Sequence, residues 1–442
     1  MSSIPQVATV MQRVLDEVAE EAAERTQFVQ RTSKLTGAKF TQTIVFGWLS
    51  NGEATLEQLA QTAAAVGVSI TPQGIDHRLT KAGADCLEQV LNAAVTEMIT
   101  TDPVAIPILE RFNGVYIHDS SVITLPDELA ERWSGCGGRC GAGQSAVKLQ
   151  VGLELSRGEL TGPYLQAGRV QDRSSKLQSA PLPKGSLLIR DLGYWSIREM
   201  QARHEKGGYW LSRIRTGTIV YDLEGKRWEL IAFLHALGAD QGDVRVKLGR
   251  QQLPARLLAL RVPQEVAERR RRQIREAARS KGQTPSKEAL ALADWFILGT
   301  NAPETLLFLQ EALVLARARW QIELLFKLWK SHGRVNAWRS KKPWRILCEV
   351  YGKLLGMIVQ HWMLVISCWK YPNRSLWKAA QTVRRYTIHL AAVFYSHELL
   401  CDALAVVRSC LASGCRINTR RAKPNTYQLL LDPSLLQWKG LT

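Results

Sequence analysis

Three acids and a short row of cations are spaced as phosphoryl-transfer chemistry would need them. Asp119 follows the apolar run Val115-Tyr116-Ile117, broken only by His118. Asp191 follows Ser186-Leu187-Leu188-Ile189, broken only by Arg190. Each aspartate therefore stands at or just past the carboxyl end of a probable buried strand, the edge at which open α/β sheets bind ligands. Small or turn-forming neighbours, Ser120-Ser121 and Gly193, leave room beside them. One such aspartate alone is more often a turn or cap residue. Two at equivalent positions, with a third acid on an apolar helix, are harder to explain as caps.

That third acid is Glu323, in 317-RARWQIELLFKLWKSHG-333. The stretch reads as one long helix. At about 100° per residue, Ile322, Leu324, Leu325, Phe326, Leu328 and Trp329 cover most of the circumference. Arg319, Glu323, Lys327 and Lys330 are left in one narrow charged stripe. An ordinary surface helix with i,i+4 ion pairs, about 0.2–0.5 kcal/mol each, would show a broad solvated face instead. The pattern predicts a helix packed nearly all round, with its one polar stripe turned toward a site.

Carboxylates with no Cys or His ligand pattern suit hard cations, Mg²⁺ or Mn²⁺. On a basic chain the natural chemistry is two-metal phosphoryl transfer, with ions about 3.5–4 Å apart serving the attacking and leaving oxygens. Acids alone repel a phosphodiester, so cations must stand beside them. Arg319 offers a bidentate phosphate grip and Lys330 a point charge. Lys327 fits either a phosphate clamp or a simple pair with Glu323.

The charge balance agrees. The 442-residue chain has a formal net charge of +18, unevenly spread: −4 over 1–100, +9 in the middle and +13 over 331–442. Such an excess points to a polyanion, nucleic acid first and a membrane surface second; a merely solvated basic surface is the plain alternative. The acidic start, MSSIPQVATVMQRVLDEVAEEAAER, shows no signal peptide. The most apolar stretch, 346–369, includes Glu349, Lys353, Gln360 and His361 and reads as a buried helix rather than a membrane span. The eight cysteines show no framework, as in a reducing cytoplasm. Cys136 and Cys140 lack a second ligand pair for zinc and read as part of a glycine-rich loop.

Stepping outward, residues 1–104 read as helical. Within them, 55-TLEQLAQTAAAVGVSITPQGIDHRL-79 has helix–turn–helix character, with a turn at Gly67 and Thr71 capping a helix that starts at Pro72. Short β-rich runs follow at 114–125, 147–155 and 186–195, then a helix at 195–206, giving a mixed α/β domain. Further strands are expected at 209–215, 227–234, 243–249, 255–262 and 295–300, interrupted by one strongly basic helix at 264–282. From 344 the chain is again helical and basic.

These residues resemble the DDE transposases of bacterial insertion sequences, in the group marked by a Tyr-x2-Arg-x3-Glu-x6-Lys signature (insertion-sequence family four). Arg319, Glu323 and Lys330 match at the required spacings, and Trp320, Ile322 and Phe326 fit the apolar pattern around them. 116-YIHDSS-121 and 190-RDLGYWS-196 look like the first-Asp and second-Asp motifs. The acids are 72 and 132 residues apart, the longer gap being what a β insertion before the last acid requires. The signature tyrosine falls on Ala316, so the hydroxyl that in the family holds a phosphate near a flipped base is missing.

The resemblance implies an α/β fold: a ribonuclease-H-like catalytic core (105–206 and 301–343) interrupted by a mainly β insertion (207–300). A helical DNA-end-binding domain (1–104) and a basic helical region for DNA contact and dimerisation (344–442) flank it. It implies catalysis and metal binding by Asp119, Asp191 and Glu323 with two Mg²⁺ or Mn²⁺ ions. Arg319, Lys327 and Lys330 would lie on phosphate. Trp295 is either the tryptophan that stacks on the flipped base or a core tryptophan on a strand. The implied reaction is cut-and-paste transposition through a DNA hairpin, by a homodimer on terminal inverted repeats and target DNA, at the bacterial nucleoid with no membrane involved. The alternatives are a ribonuclease-H-like nuclease or resolvase, and a DNA-binding transposition inhibitor that has lost catalysis.

Overall fold

The structure is a computed structural model, which describes residues 2–31, 33–137, 143–178, 180–418 and 424–436. It divides into two compact units, one of 1–104, 120–171 and 322–418, the other of 105–119, 172–321 and 419–442. Ten strands are described: β1 (Val115–Leu125), β2 (Ser145–Glu154), β3 (Leu160–Ala167), β4 (Leu187–Arg190), β5 (Tyr209–Arg213), β6 (Ile219–Tyr221), β7 (Arg227–Glu229), β8 (Gln241–Leu248), β9 (Leu253–Arg261) and β10 (Trp295–Thr300). The boundary between the units falls within β1, after Asp119.

The first unit is mainly helical and has β2 between β3 and the second half of β1. Its centre is the helix Pro343–Leu364, which packs on the helices Gly37–Ser50 and Lys81–Ala94. The crossing with Gly37–Ser50 is close because Gly352 has no side chain: a Cβ there would lie 2.4 Å from Ile44 Cγ2. The segment Pro343–Trp369 is long and apolar enough to cross a membrane, but 94% of its most apolar window is buried inside the protein. It is a core helix, as its interrupting polar residues suggest. Glu349 and Lys353 are buried together there, 3.2 Å apart.

The expected helix–turn–helix pattern is present, with Leu56–Ala65 as its first helix. Thr71 does cap a helix begun by Pro72, accepting from the Gly74 N–H, and Gly67 does take a positive φ of 87°. The second helix, Pro72–Asp76, is however only five residues long. Its last residue, Asp76, is held by Arg345 and Lys342. One short turn ending in a paired acid is poorly suited to lie in a major groove, where a recognition helix presents several side chains.

In the second unit β1, β4 and β5 are consecutive and parallel. β10 then joins β5 antiparallel, followed by β9, β8, β6 and β7, all antiparallel. β5 pairs in parallel with β4 and so continues the parallel strands. Between β5 and β10 the chain is mixed rather than mainly β. Residues 230–234 were expected to extend a strand; they form the helix Leu230–Ala236, because Leu230, Phe233 and Leu234 recur at helical spacing and are all buried. The basic helix runs over Gln264–Ser280 as expected, with Val266 and Ala267 as its buried contacts. Asn301 ties the end of β10 to the start of β5, accepting from the Trp210 N–H at 2.8 Å and donating to the Gly208 carbonyl at 2.9 Å.

Candidate active site

The site begins with strand register. His118 of β1 pairs with Arg190 of β4, and Arg190 with Ser212 of β5. The next residue on each strand is Asp119, Asp191 and Arg213 respectively. Adjacent strands lie about 4.8 Å apart, so two acids and an arginine share one level just past the last parallel pairs; Asp191 follows the end of β4 as expected, but Asp119 lies within its strand rather than at the end of it, because β1 runs on to Leu125. Because side chains alternate, this row faces opposite to the row beneath it.

The row beneath, His118, Arg190 and Ser212, is buried and holds one cation, Arg190. His118 is 2% exposed and Arg190 7%. Burial, then the charges of Arg190 and Arg203, hold the His118 pKa well below the ordinary histidine value, so the ring is neutral. Burial draws Arg190 down to about 10. Arg203 in turn donates to the Ser186 and Tyr209 carbonyls, at 3.0 and 2.9 Å, bracing the starts of β4 and β5.

Arg319 reaches the same level. Its Nη1 donates to Asp119 Oδ2 at 3.0 Å, and both side chains are about four-fifths buried, at 22% and 19% exposure. Arg319 is where two helices meet, Leu309–Ala318 and Trp320–Ser331, so the expected single helix is two joined end to end through a residue of helical φ and ψ. The first of these is anchored by Glu311, which accepts a two-point contact from Arg111 at 2.7 and 2.8 Å.

Arg213 was missed in the sequence, where nothing distinguishes it from the other arginines of a basic chain. Its guanidinium lies 5.4 Å from the centre of the Phe296 ring, and that of Arg270 lies 5.7 Å from the same ring. Dehydration by surrounding atoms lowers the Arg213 pKa, against the pull of Asp191, and Arg319 lowers it further. Arg270, lowered to about 10 by burial and by Arg213, also donates to the Trp295 carbonyl at 3.1 Å. Asp119, Asp191, Arg319, Arg213 and Arg270 thus form one neighbourhood in the second unit, with more cations than acids.

Glu323 is half-buried in the first unit, on the helix Trp320–Ser331. Ile322, Leu325, Phe326, Leu328 and Trp329 are buried as expected, but Leu324 is 45% and Trp320 52% exposed. The open face is therefore broader than a charged stripe: Trp320, Leu324 and Lys327 lie along it at i, i+4 and i+7. Lys330 donates to the Val122 carbonyl of β1 at 3.3 Å, and partial burial lowers its pKa.

Trp295 is 7% exposed and packed in the core with Trp210, Leu257 and Ile297. Cys136 is an exposed free thiol, and Cys140 lies outside the described residues. Among the described residues no three His, Cys, Asp or Glu side chains are grouped as a ready-made metal cage. The donor chemistry of the paired aspartates, hard oxygens only, nevertheless fits a hard divalent cation.

Known proteins share this chain's sequence over the same region. The profile of the family described as Transposase DDE domain matches residues 110–358, a span from just before β1 into the helix Pro343–Leu364. The transposase for insertion sequence element IS231B of Bacillus thuringiensis subsp. berliner is 26% identical over 365 residues, 77% of this chain and 75% of that protein. The transposase for IS1151 of Clostridium perfringens is 24% identical over 360 residues, 76% of each. A shorter likeness, 29% over 176 residues, links 38% of the chain to 45% of the putative transposase InsL of IS186A from Escherichia coli (strain K12). With the family profile covering more than half of its residues and relatives aligned over about three quarters of its length, the chain belongs to the DDE transposases of insertion sequences.

Proposed function

We propose that Asp119 and Asp191, with Glu323 as the third acid, hold the divalent cations on which a DDE transposase depends. The observation that carries this reading is the shared register position of Asp119 and Asp191 on parallel neighbours. Mg²⁺ or Mn²⁺, two ions in all, would supply activation of the attacking oxygen and stabilisation of the leaving one. The chain's own cations do the rest. Arg319 and Arg213 flank the aspartates and hold the phosphodiester in place, where oriented guanidinium donors meet developing charge. Lys330 and the exposed Lys327 extend that grip along the strand.

The substrate is double-stranded DNA: the terminal inverted repeats of the element, then its target. The reaction is cut-and-paste, with hydrolysis at the element's end followed by attack of the freed 3′-hydroxyl through a hairpin. Residues 1–104 and the basic helix Gln264–Ser280 serve end recognition. The region 344–442 contacts DNA and joins two protomers in the complex, at the nucleoid. The core is ribonuclease-H-like, and the segment between β5 and β10 is its insertion. Trp320, exposed and next to Arg319, is better placed than Trp295 to meet a flipped base.

The test is cleavage of DNA carrying matched ends with Mg²⁺. Asp119→Asn, Asp191→Asn and Glu323→Gln should each abolish cleavage while DNA binding persists. Cleavage that survives any one of them removes that residue from the site. Strand-transfer products on a plasmid target separate transposition from simple hydrolysis.

A further inference from the structure

The helix Trp320–Ser331 ends in a turn that no part of the proposed chemistry uses. Gly333 leaves no room for a side chain, since a Cβ would lie 2.5 Å from Met357 Sδ and 2.7 Å from the Trp329 carbonyl. Arg334 follows with φ +51°, a left-handed conformation that a residue with a Cβ seldom adopts. Such local strain is kept where the surroundings impose it, often at binding sites. Here the turn meets the loop after the helix Gly37–Ser50 within the first unit, and a cavity of about 240 Å³ opens between them. Asn51, Glu53, Ser331, His332, Arg334 and Arg384 line it. A second cavity of about 360 Å³ adjoins at Arg384 and adds Gln381 and Arg385.

The lining is polar and its charge is positive. Glu53 is the one acid, and Arg334 neutralises it through a 2.5 Å contact. Arg384 and Arg385 remain. Arg384 is fixed by donating Nε to the Ser50 carbonyl at 3.2 Å, which leaves its two terminal nitrogens for another acceptor; burial lowers its pKa. Arg385 is exposed. His332 is 5% exposed, and its Nδ1 has no hydrogen-bond partner among the described residues. Burial, then Arg384, lowers its pKa, so the ring serves as a neutral hydrogen-bonding group. Ser331 and Asn51 add neutral donors. Oriented arginine donors with neutral donors around them make a phosphate site.

We propose that this cleft, built on Arg384, Arg385 and His332, binds a backbone phosphate of the DNA. It continues the phosphate grip of Lys330, which immediately precedes Ser331 on the same helix. The inference rests on the reading of the chain as a DNA-binding transposase, but not on its metal chemistry.

The experiment is equilibrium binding of the full chain to end DNA, without divalent metal, over a range of salt. Arg385→Gln is exposed and should fold normally. The double variant Arg384→Gln/Arg385→Gln should bind roughly tenfold or more weakly, with the slope of log affinity against log salt shallower by about 1. Arg384→Lys should recover part of the affinity. Methylphosphonate placed at single backbone positions should weaken the wild type at the phosphate held here and leave the double variant indifferent at that position. Wild-type binding with no change in slope in Arg385→Gln or in the folded double variant overturns the proposal. A rise in melting temperature with inorganic phosphate, lost in the variants while their DNA binding is unchanged, would make the cleft a free-anion site and also overturn it. No DNA binding by the wild type would fell the underlying reading as well.

Discussion

Arg319 Nη1 is bonded to Asp119 Oδ2 at 3.0 Å, joining two residues 200 positions apart in the chain. The contact brings the junction of two helices to the edge of a parallel strand pair, and it sets a cation against the first aspartate. Arg319→Gln should lower the rate of end cleavage by about 10²-fold, the usual effect of losing one oriented donor at a reacting centre. Arg319→Lys should restore part of that loss, since it returns the charge but not the planar two-point geometry. Single-turnover cleavage on matched ends measures both. Equal rates in Arg319→Gln and wild type would make the contact merely structural.

The aromatic that meets an unpaired base should be Trp320. It is 52% exposed, against 7% for Trp295. With 2-aminopurine at the end of the transferred strand, Trp320→Ala should lose the fluorescence change of flipping and weaken the complex by about 1–3 kcal/mol. Trp295→Phe should leave the signal intact and lower the melting temperature. The reverse pattern would restore Trp295 as the stacking residue.

Arg213 should matter beyond its net charge. It stands at the register position beside Asp191 and in the field of Arg319. Arg213→Gln is expected to slow cleavage by about tenfold or more with little change in stability. A large fall in the urea midpoint with unchanged cleavage would show that it only supports Phe296.

Lys353→Met should destabilise the first unit by about 3–5 kcal/mol, because it strands Glu349 in the core. The two side chains are 2% and 4% exposed, and Lys353 Nζ also donates to the Ala337 carbonyl at 2.7 Å. Glu349→Gln/Lys353→Met should recover much of the loss. Urea unfolding at neutral pH reads both; a double variant as weak as the single would show that Lys353 acts through Ala337 alone.

Asp16 gives a pH signature. Burial raises its pKa from 3.8 to about 6. A raised acid binds its proton more tightly when folded, so stability is highest below about pH 4 and falls as pH rises through 6. Asp16→Asn, which keeps an acceptor for Gln42, should therefore stabilise the protein at pH 7–8 by about 1–2 kcal/mol, after discounting for solvent screening. The gain should disappear toward pH 4. A gain independent of pH would assign it to packing instead.

Asp119 and Asp191 stand out in the sequence because each follows an apolar run, and Glu323 because its neighbours are apolar at nearly every angle. Arg213 does not, since its role comes from β5 lying parallel beside β4, a pairing that no local pattern in 209-YWLSR-213 announces. The strand expected over 227–234 became partly a helix because Leu230, Phe233 and Leu234 recur at i, i+3 and i+4, a helical spacing in a run too short for its period to stand out. The end of the helix Trp320–Ser331 shows the limit of composition. Apolar residues at most angles predicted burial all round, yet Trp320 and Leu324 are left open.

The register that aligns Asp119, Asp191 and Arg213 also says which changes in length the protein can absorb. The loops between these strands can grow or shrink while the three stay one strand spacing apart. A single residue added within 115–118 or 187–190 would instead turn one carboxylate to the opposite face. Insertions among relatives should therefore spare those two windows, and 209–212, which sets Arg213 in the same way, and fall in the loops between them.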